Sequence, residues 1–286
     1  MEITEYMPEK IRKIMGNMDL SAAEEIRLRA ERPVLVYAGG EEINAGGEVS
    51  LADLQELTEI LSDYSPYAFE ESLKQGYLTL RGGHRAGFCG KPFVSGGEIR
   101  AMREITGVNI RVAREARGCA EKISAYALEP RPRNFMIISP PGRGKTTLLR
   151  DLTRIAGDSG LNVCIADERG EIAGGGALDV GIRTDVMEGC PKAVAMMGML
   201  RAMSPHVIAA DEIGCRADVL AIEEAAAAGA AVFCTVHADS VAGARKRPVL
   251  AELFESGVFG RFAVIEGSGR TGRVEGVYGE GGRALC

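Results

Sequence analysis

Residues 135–149 read FMIISPPGRGKTTLL, in which an apolar run, a glycine-rich turn and the start of a helical pattern follow one another. A strand that leads through such a turn into a helix is the context that makes a phosphate-binding loop credible. The glycines let backbone N–H groups converge on an anion without Cβ clashes, and the lysine and the helix N-terminus add positive charge. The stretch predicts a nucleotide-binding loop made by Ser139, Pro140, Pro141, Gly142, Arg143, Gly144, Lys145, Thr146 and Thr147.

The loop departs from its usual pattern at Ser139, which stands where the first glycine is expected. That position closes the loop rather than contacting phosphate, so the interpretation is kept. The hydroxyl of Thr146 is expected to bind Mg²⁺, which makes ATP and Mg²⁺ the predicted cofactors.

An apolar run at 206–210 ends in Asp211 and Glu212. After a phosphate-binding loop, this pattern favours a second nucleotide-site element rather than a simple strand end. Asp211 would hold Mg²⁺ partly through water, and Glu212 would activate the attacking water.

Two further strand ends carry candidate catalytic side chains. Glu168 and Glu171 follow the apolar run at 162–166, and His237 closes the run at 231–236. Ligands bind at the carboxyl ends of strands in doubly wound sheets, so these groups are expected beside the γ-phosphate, where His237 would sense hydrolysis. The plainer alternatives, solvated loop acids and a structural histidine, remain open.

Alternating elements after residue 134 predict an α/β domain with a mostly parallel sheet covered by helices, since parallel neighbours need crossover connections. The predicted strands are 135–138, 162–166, 206–210, 231–236 and 262–265, and the predicted helices are 145–155, 193–203, 217–228 and 240–256 with a break at Pro248. With the phosphate-binding loop, the expected fold class is a P-loop NTPase (RecA-like) domain.

The earlier part of the chain predicts a smaller α+β domain. Strands are expected at 25–29, 34–37, 77–80 and 84–89, and helices at 51–63, 65–75 and 114–127. Two prolines in the run LEPRPRN exclude a helix and favour an extended spacer. The predicted organisation is an N-terminal domain at 1–127, a linker at 128–134 and an ATPase domain at 135–286.

Composition and charge exclude several classes of protein. The 286 residues are 46% apolar and 26% charged, which is typical of globular proteins, and no apolar run reaches the ~18–20 residues of a membrane helix. The first residues lack a signal-peptide pattern, so a cytoplasmic protein is expected. The net charge of −6 argues against a nucleic-acid coat protein, but residues 71–117 carry 9 bases and 4 acids and form a basic stripe.

The order of phosphate loop, acidic strand end, Asp-Glu strand end and Thr-x-His strand end resembles the secretion ATPases of type II and type IV systems. The match is closer to one branch, the stage III sporulation protein AA family. The segments that carry it are 25–29, 67–70, 75–77, 82–85, 109–115, 167–169, 171–174, 181–185, 189–192, 203–205 and 211–214.

That resemblance implies a homohexameric ring on the mother-cell side of the channel between mother cell and forespore, peripheral to the membrane. It also implies partner membrane proteins of that channel and ATP hydrolysis that drives channel assembly or transport. No stable nucleic-acid partner is expected. Two alternatives stay open: a nucleic-acid-processing ATPase that uses the basic stripe, and a nucleotide-gated structural ring with little turnover.

The basic stripe also supplies candidates for a γ-phosphate arginine, in the same or a neighbouring subunit. These are Arg103, Arg111 and Arg114, which precede the predicted linker, with Arg111 preferred because residues 109–111 alternate like a strand. An arginine there would neutralise charge that develops on the transferring phosphoryl group. The alternative is that these arginines pair with the acids of residues 1–70, which carry a net charge of −9.

Overall fold

The computed structural model describes residues 3–16, 18–20, 22–65, 69–70, 77–80, 82–113, 116–266 and 272–285. The chain divides into two compact units. The first comprises Met1–Ala113 and Gly174–Ala177, and the second comprises Arg114–Ala173 and Leu178–Cys286. Among the described residues no helix combines the length and apolarity that crossing a bilayer requires.

The first unit is an antiparallel sheet with helices on one face. Its described elements are α1 (Glu9–Met15), β1 (Ala23–Arg29), β2 (Arg32–Ala38), β3 (Glu41–Val49), α2 (Leu51–Leu61), β4 (Leu78–Thr79), β5 (Arg85–Ser95) and β6 (Glu98–Arg111). Their order in the sheet is β3-β2-β1-β6-β5-β4. Strand β1 alternates buried Ile26 and Leu28 with more exposed charged residues, so one face of the sheet builds the core with α1 and α2.

The second unit is an α/β domain around a mostly parallel sheet, as the sequence predicts. Its described elements are α3 (Glu121–Leu128), β7 (Phe135–Ser139), α4 (Lys145–Asp158), β8 (Val163–Asp167), β9 (Thr184–Glu188), α5 (Lys192–Ala202), β10 (Val207–Ala210), α6 (Arg216–Ala227), β11 (Ala231–His237), α7 (Val241–Arg245), α8 (Pro248–Glu255), β12 (Arg261–Ile265) and β13 (Val274–Gly279). The described strands are ordered β13-β12-β7-β11-β10-β8-β9, and every neighbouring pair is parallel apart from β12 and β13.

Both faces of this sheet are buried. On β7, Met136 and Ile138 join the core on one face, and Phe135 and Ile137 join the core on the other. Strands β7, β8 and β10 are buried along their whole length. The continuous apolar runs of the sequence therefore correspond to central strands covered on two sides.

The division between the units falls earlier than the linker predicted at 128–134. Helix α3 buries Ile123 and Ala127 against the core of the second unit, and the N–H of Ala120 donates to the carboxylate of Asp151 at 2.8 Å. We propose that these units are the two domains expected from the sequence, with α3 assigned to the second domain.

Other differences lie at element ends and in elements that the sequence analysis did not predict. The helix predicted over 114–127 begins only at Glu121, and most of the helix predicted over 65–75 lies outside the described residues. Helix α1 and strands β3, β9 and β13 were not predicted, and of β6 only the strand-like alternation at 109–111 was noted. Helices α7 and α8 divide at Pro248, which occupies the first turn of α8, where a proline is well tolerated.

Candidate functional site

The predicted phosphate loop joins β7 to the N-terminus of α4. Gly142 and Gly144 have φ of 72° and 83°, which is the left-handed region that favours glycine. A Cβ on Gly142 would meet no neighbour within 4 Å, so the backbone conformation, not space, requires glycine there. Lys145 is the first residue of α4 and is buried. The loop thus has the backbone form and the helix terminus that an anion site needs.

Hydrogen bonds hold the first residue and the middle of the loop in place. Ser139 is fully buried, its hydroxyl donates to the carbonyl of Pro140 at 2.7 Å, and its own carbonyl accepts the N–H of Ala238 at 3.3 Å. Pro141 is exposed, and the carbonyl of Arg143 accepts the N–H of Gly272 at 2.9 Å. A serine therefore fits at the first loop position because its hydroxyl is bonded locally.

The loop and the Asp-Glu strand end meet at Asp211. The hydroxyl of Thr146 donates to one oxygen of Asp211 at 2.6 Å, and the hydroxyl of Thr235, on β11, donates to the other. The ammonium of Lys145 lies 3.9 Å from the Asp211 carboxylate. The phosphate loop and the Asp-Glu strand end thus bring the hydroxyl of Thr146 and the carboxylate of Asp211 together.

Glu212 has a backbone conformation that is rare for its residue type. Its φ is 49°, in the left-handed region, which costs a residue with a side chain about 1–2 kcal/mol. Its N–H donates to the hydroxyl of Thr235 at 2.9 Å, and its carbonyl accepts from the ammonium of Lys192 at 3.2 Å. Strain of this kind is held by surrounding contacts and is characteristic of functional sites.

The carboxylate of Glu212 faces two cationic or ionisable groups. Arg169 lies 3.1 Å from one oxygen and the Nε2 of His237 lies 3.7 Å from the other. The Nδ1 of His237 is 3.3 Å from the carbonyl oxygen of Ser139, and Arg247 donates to the carbonyl of His237 at 3.0 Å. His237 therefore lies between Glu212 and the start of the phosphate loop.

A buried carboxylate and a buried guanidinium hold the loop after β8. The oxygens of Asp167 accept the N–H groups of Glu171, Ile172 and Ala173 at 2.8–2.9 Å. Arg150 donates to the carbonyls of Ile172 and Glu171 at 2.5 and 2.6 Å. Burial raises the pKa of the Asp167 carboxyl above its usual value. Asp167 therefore serves to shape the loop that carries the candidate acids.

The two candidate acids have different partners. The carboxylate of Glu168 lies 3.0 Å from the ammonium of Lys192, whereas that of Glu171 lies 4.0 Å from the guanidinium of Arg169. Both acids belong to the same loop, but Glu168 forms the shorter ion pair. The geometry thus distinguishes two residues that sequence reasoning left equivalent.

Arg103 and Arg111, two of the three candidate arginines, belong to β6 of the first unit. Arg111 is 73% exposed and lies 4.0 Å from the carboxylate of Glu25, and the guanidinium of Arg103 lies 5.5 Å from the ring centroid of Phe93. The contact with Glu25 is of the kind expected if the stripe pairs with the acids of residues 1–70. Arg114 lies outside the described residues. An arginine that reaches the phosphates stays a prediction.

Sequence reasoning missed four residues that contact the site. Thr235 lies in the apolar run at 231–236, and Arg169 and Lys192 lie in the segments 167–169 and 189–192 that carry the family resemblance, but none was assigned a role. Arg150 lies within α4 and had no signal beyond its charge. A polar residue inside an apolar strand, such as Thr235 in β11, was the sign that could have identified one of them.

Comparison with known proteins places the chain in a family. The family model described as sporulation stage III, protein AA matches residues 1–285. Stage III sporulation protein AA of Bacillus subtilis is 37% identical over an alignment of 298 positions, which covers 99% of this chain and 96% of that protein. An uncharacterised protein of Porphyra purpurea, ycf45, is 30% identical over 54% of this chain and 29% of its own length.

Solved structures with the same fold carry the names of ATPases and motors. The ATPase DotB of Legionella pneumophila has a TM-score of 0.62 and 17% identity over 90% of this chain and 76% of its own. The pilus retraction motor PilT with bound ADP has a TM-score of 0.60 and 19% identity over 92% and 78%. These likenesses establish the RecA-like fold of the secretion ATPases, and with the family match they lead to one conclusion: the chain belongs to the stage III sporulation protein AA family.

Proposed function

We propose that this protein hydrolyses ATP as a motor of the secretion ATPase superfamily and powers assembly of, or transport through, the channel between mother cell and forespore. The observation that carries the proposal is the 2.6 Å contact between Thr146 and Asp211, with Lys145 and Glu212 beside it. It joins the end of a phosphate-binding loop to an Asp-Glu strand end, which is the arrangement that ATP hydrolysis requires.

The residues of the site divide into binding and chemical roles. Residues 139–147 would bind the phosphates through backbone N–H groups, with Lys145 as the fixed cation. Mg²⁺ prefers oxygen ligands, and the neighbouring oxygens of Thr146 and Asp211 fit that preference, with Asp211 acting partly through water. Mg²⁺ would neutralise charge on the phosphates when bound.

Glu212 is the proposed general base. It directly follows Asp211, its side chain is 38% exposed, and its backbone is fixed on both sides. A carboxylate held in this way can orient a water and accept its proton. His237, 3.7 Å from Glu212, would sense the γ-phosphate. Glu168, which contacts Lys192, and Glu171, which lies near Arg169, are both candidates for the second catalytic acid.

We infer the assembly and location of the protein from its family. We infer a homohexamer that acts at the mother-cell side of the membrane with membrane proteins of the sporulation channel. The fold shared with DotB and PilT and the match over 99% of the chain to the B. subtilis sporulation protein support this proposal.

The aromatic residues of the basic stripe have intramolecular partners, which favours the motor over the nucleic-acid alternative. Tyr77 lies under the guanidinium of Arg85 at 4.3 Å, and Phe88 packs edge-on against Phe69 at 4.9 Å. Phe93 has the guanidinium of Arg103 at 5.5 Å from its ring centroid, although it stays 46% exposed. Rings engaged in this manner are poor platforms for stacking bases. Salt-sensitive binding of single- or double-stranded DNA would instead support the alternative.

Two variants and one control test the proposal. Lys145→Ala should abolish ATP binding measured by calorimetry, because it removes the cation fixed at the phosphates. Glu212→Gln should retain binding but lose phosphate release, because the amide keeps the shape and loses the base. Lys122→Ala, at an exposed position on α3, is the matched control and should behave as the wild type.

Three results would contradict the proposal. Wild-type affinity in Lys145→Ala would refute the phosphate-loop assignment, and loss of binding in Glu212→Gln would refute its catalytic role. Binding without any steady-state phosphate release by the wild type would favour a nucleotide-gated structural ring. Light scattering with and without a slowly hydrolysed ATP analogue tests assembly separately.

A further inference from the structure

Lys192 connects three segments that converge beside the proposed base. It is the first residue of α5, and its side chain is 13% exposed. Its ammonium lies 3.0 Å from the carboxylate of Glu168, 3.2 Å from the carbonyl oxygen of Glu212 and 4.0 Å from the carboxylate of Asp218. One cation thus contacts the segment after β8, the segment after β10 and the first turn of α6.

The carboxylates around Lys192 fix its position. Asp218 is buried, and one of its oxygens accepts the N–H groups of Gly214 and Cys215 at 3.1 and 3.2 Å. Glu168 provides the second negative charge from another strand end. A nearly buried ammonium is costly unless it is paired, so two carboxylates hold this one where it donates to Glu212.

The carbonyl that Lys192 contacts belongs to the residue with the strained backbone. Glu212 has a φ of 49°, and its N–H is bonded on the opposite side by the hydroxyl of Thr235. The N–H and the carbonyl together define how the peptide units on either side of Glu212 are turned. With both held, the direction in which the Glu212 side chain leaves the backbone is fixed as well.

We propose that Lys192 is a positioning residue that holds Glu212 in its left-handed conformation and thereby aims the carboxylate for water activation. This inference rests on the proposed role of Glu212 as the base. Without the lysine contact, the backbone of Glu212 relaxes from the left-handed region toward the φ/ψ regions that a glutamate normally adopts. The population of the left-handed conformation then falls by a factor of about 5–30. Turnover falls by the same factor, while the phosphate loop is unaffected.

The test is steady-state ATP hydrolysis by Lys192→Met and Lys192→Gln. Methionine keeps the length of the side chain and removes the charge and the donors, so kcat should fall about 5- to 30-fold with KM for ATP within about twofold of wild type. Glutamine can still donate to the Glu212 carbonyl and should lose less. A cooperative thermal transition above the assay temperature shows that the variants are folded, and Lys122→Met is the matched control on an exposed helix position.

The outcomes separate this inference from the proposed function. Wild-type kcat in a folded Lys192→Met would overturn the positioning role even if Glu212→Gln is inactive, whereas an active Glu212→Gln would refute the base itself. A raised KM with unchanged kcat in either lysine variant would also overturn it, because that is the signature of a binding residue. If Lys192→Met does not fold, the comparison is made with Lys192→Leu, which also lacks a donor, and a crystal structure of that variant in which Glu212 keeps its positive φ would overturn the inference.

Discussion

The strained backbone of Glu212 predicts an unusual sign for the effect of glycine. We consider the pair Glu212→Ala and Glu212→Gly, both of which lack the carboxylate and its contacts with Arg169 and His237. The two variants therefore differ only in backbone freedom. Their comparison isolates the cost of the left-handed conformation, in which Glu212 has a φ of 49°.

The magnitude follows from two opposing contributions. Relief of the left-handed conformation favours glycine by about 1–2 kcal/mol. The greater freedom of glycine in the unfolded chain disfavours it by about 0.5–1 kcal/mol relative to alanine. Glu212→Gly should therefore be more stable than Glu212→Ala by about 0.5–1 kcal/mol, although glycine usually destabilises folded proteins.

A control pair at Glu224 should show the opposite sign. Glu224 is exposed and lies inside α6, where glycine is about 1 kcal/mol less favourable than alanine. The assay is urea unfolding followed by circular dichroism, with equal m-values required within each pair. Equal or greater stability of Glu212→Ala over Glu212→Gly would refute the left-handed assignment and, with it, the basis of the positioning role of Lys192.

Three further predictions concern other residues. Thr235→Val should lower the free energy of unfolding by about 2 kcal/mol and reduce phosphate release, because the N–H of Glu212 loses its acceptor. Burial lowers the pKa of His84 below 6.5, so the unfolded chain binds the proton at a higher pH than the folded chain does. The free energy of unfolding should therefore fall as the pH drops from 6.5 through the lowered pKa. Urea titrations at several pH values should show this dependence in the wild type and not in His84→Gln. Arg111→Ala should lower turnover at saturating ATP and leave the affinity for ATP nearly unchanged. If the arginine acts across subunits, mixed rings of this variant and Glu212→Gln should regain activity. Unchanged turnover would leave Arg111 with a structural contact to Glu25 and no role in hydrolysis.

Several features of the protein could be predicted from the sequence because local chemistry specifies them. The phosphate loop consists of consecutive residues, and its two left-handed positions are occupied by glycine. Central strands such as β7 and β10 are continuous apolar runs because both faces of the sheet are covered. Acids and a histidine at the ends of such runs were expected to share one edge of the sheet, and the structure places Asp211, Glu212 and His237 close together there.

The edge strands were not predictable in the same way. Strand β9 is mostly exposed, and β3 is rich in glycine and glutamate, so neither has the apolar run of a central strand.

Helix α3 precedes the proline-rich segment, and the sequence therefore predicts that it belongs to the first domain. Its buried Ile123 and Ala127 place it in the second unit, a fact that depends on packing and not on the spacing of prolines.

The contacts that shape the proposed base were decided only by the tertiary structure. Lys192, Thr235 and Arg169 lie 20, 23 and 43 residues from Glu212 along the chain, and nothing in the local sequence links them to it. Parallel strands need crossover connections, so the ends of neighbouring strands come from distant parts of the chain and meet only when the sheet forms. The sequence by itself determined which residues could bind phosphate and carry charge, and the order of strands in the sheet decided which of them touch.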